Sequence, residues 1–86
     1  METEIISCEP ATPWSWLVRL SVCVDGCVTR GHVSVVRFDG EFFQLMADRS
    51  DPADIGFPRS LVDEYGDRIV EAACQAARET WVARSA

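Results

Sequence analysis

The sequence predicts an α+β domain: a four-stranded antiparallel β-meander followed by a helix packed on one of its faces, in the order ββββα. Three observations predict it. From Trp14 to Val24 apolar and mixed residues alternate without a break. Trp14, Trp16, Val18, Leu20, Val22 and Val24 share one parity, the signature of a strand buried on one face only. Asp-Gly pairs at Asp25-Gly26 and Asp39-Gly40 close apolar strands and mark two hairpins. From Leu61 onward, apolar residues return every three or four positions (Val62, Tyr65, Ile69, Ala73, Ala76 or Ala77, Trp81), which is the period of an amphipathic helix.

Taken in order, residues 3–8 read as a short strand and 9–13 as a loop, because Pro10 and Pro13 cannot donate to a ladder. Strand 14–24 follows. A three-residue first turn, Val24-Asp25-Gly26, pairs Cys23 with Cys27, Val22 with Val28 and Ser21 with Thr29. A two-residue turn at Asp25-Gly26 pairs Val22 with Thr29 and Cys23 with Val28 instead. The three-residue turn matches like with like on both faces and is the expected register. The same test at Phe38-Asp39-Gly40 places Arg37 opposite Glu41, Val36 opposite Phe42, Val35 opposite Phe43 and Val33 opposite Leu45. Val28 then has the opposite parity to Val33 and Val35, so a β-bulge is expected at Gly31. Residues 48–54 form a polar connection, where Asp51-Pro52 can start a single helical turn ended by Gly56. The helix opens either with Pro58 at its first position or with Ser60 as N-cap and Asp63 three residues on. Gly66 costs roughly 1 kcal/mol against Ala inside a helix, and it is where the helix would break, with Asp67 capping a second segment.

Size and composition bound the rest. Eighty-six residues, 48% of them apolar, suit one small domain spanning 1–86. No apolar run reaches the roughly 18 residues a membrane span requires. The acidic start Met-Glu-Thr-Glu is unlike a secretion signal, so a cytoplasmic location with reduced thiols is expected. Cys23 and Cys27 would face each other near the hairpin tip, but a Cys-x-x-x-Cys spacing beside a lone His32 does not make a zinc site. No metal and no cofactor is expected. The usual parts for acid–base or nucleophilic catalysis are also missing, so the chain reads as non-enzymatic.

Charge points toward a partner. Fourteen acids against eight bases, every base an arginine, give a net charge of −6. Such a field repels phosphate backbones and speeds encounter with basic surfaces. The ββββα order is similar to that of small single-strand nucleic-acid-binding domains of the PUR type. Those need basic strands with exposed aromatics, whereas this chain carries charge of the opposite sign, which makes nucleic acid an unfavourable partner.

The helix is expected to cover Val18, Leu20, Val22, Val33, Val35, Phe43 and Leu45. Leu17, Arg19, Ser21, Cys23, Cys27, Thr29, Val36 and Phe42 remain on the open face. There Leu17, Val36 and Phe42 form a candidate protein interface or homodimer surface. Asp63, Glu64, Asp67 and Glu71 on the helix supply acidic complementarity. The expected function is therefore a small acidic protein-binding module that docks on a basic protein surface, as an inhibitor in the general manner of toxin-immunity and phage anti-CRISPR proteins. The rival expectation is a regulatory domain that binds a phosphorylated small molecule or single-stranded nucleic acid through Arg19, Arg30, His32 and Arg37, since guanidinium forks suit anions.

Overall fold

A computed structural model describes residues 1–39, 42–45 and 55–85. The fold is ββββα. Strands β1 (Glu2–Thr12), β2 (Ser15–Val24), β3 (Cys27–Phe38) and β4 (Phe42–Leu45) form one antiparallel sheet in sequence order, and helix α1 (Arg59–Ser85) packs across one face. The expected helical turn at Asp51-Pro52 and the polar connection 48–54 lie outside the described residues.

Turn chirality sets the β2–β3 register. Asp25 and Gly26 both take positive φ, 50° and 78°, as a type I′ turn requires, and that turn matches the right-handed twist of the strands. The two-residue turn pairs Val24 with Cys27, Cys23 with Val28 and Val22 with Thr29, not the expected Cys23 with Cys27. The ladder then runs unbroken to Ser15 opposite Val36, with Val18 opposite Val33 and Trp16 opposite Val35. Val33 and Val35 fall on the core face without any insertion, so β3 has no bulge at Gly31. Val28 moves to the open face and is 60% exposed.

Gly31 serves a different purpose. A Cβ built there would strike the Gly56 carbonyl oxygen and would lie 2.8 Å from the Phe57 ring. Residues 55–57 run beside β3 beyond the end of β4. Ile55 bridges to Val33 and is buried, and the Gly56 amide donates to the His32 carbonyl at 2.8 Å. Absence of a side chain at Gly31 makes room for this crossing.

At the second hairpin the register is shifted by two residues from the expected one. Phe38 pairs with Phe42, Arg37 with Phe43, Val36 with Gln44 and Val35 with Leu45. An even shift preserves face membership, so Phe43 and Leu45 still pack on the core as expected. The partners differ: Val36 and Phe42 are not cross-strand neighbours.

The edge strand β1 extends beyond the expected 3–8 and passes through Pro10. An edge strand tolerates a missing amide, and a register shift follows between Pro10 and Thr12. A second shift, between Ile5 and Ser7, leaves Ile6 unpaired. That bulge lets both Ile5 and Cys8 face the helix. Pro13 and Trp14 form the β1–β2 turn, which a hydrogen bond between the Thr12 and Ser15 hydroxyls (2.7 Å) closes. Trp14 is therefore 58% exposed and outside the buried stripe that parity gave it.

The helix is continuous through Gly66, which is buried on the sheet-facing stripe with Val62, Ile69, Ala73, Ala76 and Ala77. Small residues along this stripe bring the helix close to the sheet, which offsets the poor helix propensity of glycine. Pro58 precedes the first helical residue, and its carbonyl accepts from the Leu61 and Val62 amides at 3.0 and 3.1 Å. Ser60 is thus inside the first turn and is not the N-cap. Trp16, Val18, Leu20, Val22, Val33 and Val35 complete the core beneath the helix.

Candidate docking site

A helix is about 10 Å wide, whereas four strands spaced about 4.8 Å apart cover nearly twice that. One helix lying along the sheet therefore leaves a groove on each flank. Beside β4 the groove is a cleft of about 730 Å³. Phe43, Leu45, Val70 and Cys74 form its apolar floor, and among the described residues Asp67, Glu71 and Glu79 stand along it against a single base, Arg78. Beside β1 a smaller groove of about 510 Å³ runs over Ile5, Cys8, Ala76 and Ala83.

The helix positions the acids by its own repeat. Asp67 and Glu71 are four residues apart and share the flank facing β4, one step from Val70 and Cys74. Asp63 lies one turn earlier and bridges to Arg59 at 3.2 Å, with both side chains largely exposed, so the pair contributes little stability. Glu64 points elsewhere; its charge, together with burial, raises the Tyr65 hydroxyl pKa. Of the predicted acidic residues, then, Asp67 and Glu71 belong to the cleft, and Asp63 and Glu64 do not line it.

Phe43 and Arg78 line the cleft and belong to a cluster of aromatic rings and arginines that continues beyond it. The Trp16 and Phe43 rings are 5.4 Å apart, and Phe43 and Trp81 are 6.1 Å apart, edge to face. The Arg37 guanidinium lies 4.8 Å from the Trp81 ring centre, and that of Arg78 lies 5.8 Å from Phe43. These contacts tie the C-terminal part of α1 to β3 and β4, each worth about 0.5–2 kcal/mol. They also correct an expectation. Arg37 pairs with Phe43 on the helix face, so it does not join Arg19, Arg30 and His32.

Arg19, Arg30 and His32 do come together on the open face. Arg19 is directly opposite His32, and Arg30 is opposite Ser21 in the adjacent row. The open face also carries Leu17 and Val36, both half-buried and diagonal across the β2–β3 pair. Phe42 pairs with Phe38 through its backbone, and its side chain lies outside the described atoms. Thr29 and Cys27 have the parity of the helix face, contrary to expectation. The sheet separates Leu17 and Val36 from the helix acids, so no flat partner surface touches both sets at once.

Cys23 and Cys27 do not face each other; the register offsets them by one residue and sends their side chains to opposite faces. All four cysteines are free thiols. Cys27 is exposed, whereas burial raises the Cys74 pKa, with Arg78 opposing the shift. Thiolate is the reactive form. In a timed alkylation at neutral pH read by mass spectrometry, Cys27 is therefore modified first and Cys74 last, and raising the pH accelerates Cys74 the most.

No protein-family model, no curated protein and no solved structure matches this chain. Among the described residues no helix is long and apolar enough to cross a membrane, and no cluster of three or more His, Cys, Asp or Glu side chains is placed to hold a metal ion. Sequence reasoning missed the cleft floor. Its signal was the apolar pair Val70 and Cys74, one step off the buried stripe and in phase with Asp67 and Glu71.

Proposed function

We propose that this domain is a non-enzymatic protein-binding module, acting as an inhibitor, that takes a basic amphipathic segment of a partner protein into the cleft between β4 and α1. One observation carries the reading: an apolar floor (Phe43, Leu45, Val70, Cys74) is flanked, among the described residues, by three carboxylates and one arginine. Apolar side chains of the partner fill the floor while its cations meet Glu71 and Glu79. The net charge of −6 steers a basic partner inward and opposes pairing of two copies.

The test uses a defined probe, a synthetic peptide alternating leucine and lysine, titrated into the ¹⁵N-labelled domain. Amide shifts are expected at Val70, Glu71, Cys74 and Gln75. Glu71→Arg and Val70→Ser should each weaken binding about tenfold, equivalent to about 1.4 kcal/mol, and added salt should weaken it further. Equal binding of a leucine–glutamate peptide, or shifts confined to the open sheet face, would overturn the reading.

A further inference from the structure

The open face of the sheet carries a second, independent feature. Rows of residues can be followed across it from the strand pairings: Ser7, Arg19 and His32 in one, Glu4, Ser21 and Arg30 in the next. Two guanidiniums, an imidazole and the hydroxyls of Ser7 and Ser21 are thus gathered on adjacent strands. Arg19 and Arg30 are exposed, and neither is ion-paired among the described residues. From this geometry we infer a binding site for a phosphate monoester, formed by Arg19, Arg30 and His32 with Ser7 and Ser21.

Two details show how the group is positioned. The β1 bulge at Ile6 turns Ser7 onto the open face, opposite Arg19; in an unbulged strand Ser7 would face the helix. The His32 ring rests against Gly56, where an added Cβ would collide with Cε1, Nδ1 and Nε2 of the ring. The chain passing at Gly56 also donates its amide to the His32 carbonyl. The imidazole is therefore half-buried and held against the Gly56 crossing on the strand opposite Arg19, with less rotamer freedom to lose on binding an anion. Guanidinium forks engage phosphate oxygens in pairs, and hydroxyls and imidazole N–H groups add donors.

The neighbourhood selects the class of ligand. Glu4 and Glu9 on β1 flank the cations at diagonal positions and weaken the site, so it needs a compact doubly charged group rather than a singly charged diester. Phe38, an exposed ring on the same face, lies six residues along β3 from His32, about 20 Å at the strand repeat. Among the described residues, these two rows hold no Phe, Tyr or Trp to stack a base, which disfavours single-stranded nucleic acid.

The experiment titrates phenyl phosphate, inorganic phosphate and an oligothymidylate separately into the ¹⁵N-labelled domain. Phenyl phosphate should saturate with a Kd on the order of 1 mM, at least as tightly as inorganic phosphate, and shift the amides of Ser7, Arg19, Ser21, Arg30 and His32. Arg19→Ala should weaken it tenfold or more and Arg30→Ala several-fold, whereas Arg84→Ala, at the exposed helix end, should change nothing. Gly56→Ala should displace the His32 ring and weaken binding with the circular-dichroism spectrum retained. The proposal is overturned if phenyl phosphate gives no saturable shift, if Arg19→Ala binds it as well as the parent, if inorganic phosphate binds and the ester does not, or if the oligothymidylate binds more tightly. None of these outcomes bears on the cleft, which the leucine–lysine peptide probes separately.

Discussion

Leu20→Ala is expected to remove about 2–5 kcal/mol of stability and to lower the melting temperature by roughly 10–40 °C, at about 4–8 °C per kcal/mol for a domain of this size. Leu20 is 0% exposed at the centre of the sheet, opposite Gly31 and Ile5 on its two neighbouring strands and beneath the helix. Gly31 contributes no side chain, so nothing from β3 can relax into the space that a lost isobutyl group leaves. A domain of 86 residues has about 4–13 kcal/mol of total stability, so this single change approaches the whole margin. Thermal unfolding followed by circular dichroism measures it, with Val28→Ala as the control. Val28 is 60% exposed and its truncation should stay within about 0.5 kcal/mol. A small loss at Leu20 would mean that the core is not where the structure puts it.

Gly31→Ala should cost about 1–3 kcal/mol through overpacking, although strand propensity alone favours replacing a glycine. The sign therefore separates two explanations. Gly31 is not among the residues with positive φ, so backbone strain predicts no loss. Collision with the Gly56 carbonyl and the Phe57 ring predicts a clear one. Gly26→Ala is the contrasting case. Its φ is 78° with nothing within 4 Å of the added methyl, so its loss of about 1–2 kcal/mol comes from the backbone alone. Combining Gly31→Ala with Phe57→Ala should recover the part of the cost due to the ring, read as a non-additive coupling in denaturant unfolding. Full additivity of the two changes would show that Phe57 does not press on β3.

Much of this fold is legible in the residues, and the illegible parts share one character. The alternation at 16–24, the valines at 33 and 35 and the stripe from Val62 to Ala77 predict which side chains are buried. They do so because burial follows a local period. The hairpin registers are less legible. Matching like with like led to Cys23 opposite Cys27, and the handedness of Asp25-Gly26 overrode it. The strand boundary at Pro10 misled because proline is excluded only from interior ladders, and β1 is an edge. Arg37 misled because a charged strand residue was assigned to solvent, whereas its guanidinium lies over Trp81 and extends a ring cluster.

By itself, the sequence determined the order of elements, the buried face of each and the acidic balance, all of which follow from periodicity and composition. Only the tertiary structure decided what lies next to what. It decided that Gly31 is a crossing point and not a bulge. It set the helix acids and the open-face residues on opposite sides of one sheet, and it opened a cleft beside β4. The physical reason is that a period of 2 or 3.6 specifies a face. Neighbours across strands depend instead on turn chirality, and the cleft depends on a single helix being narrower than the four strands it covers.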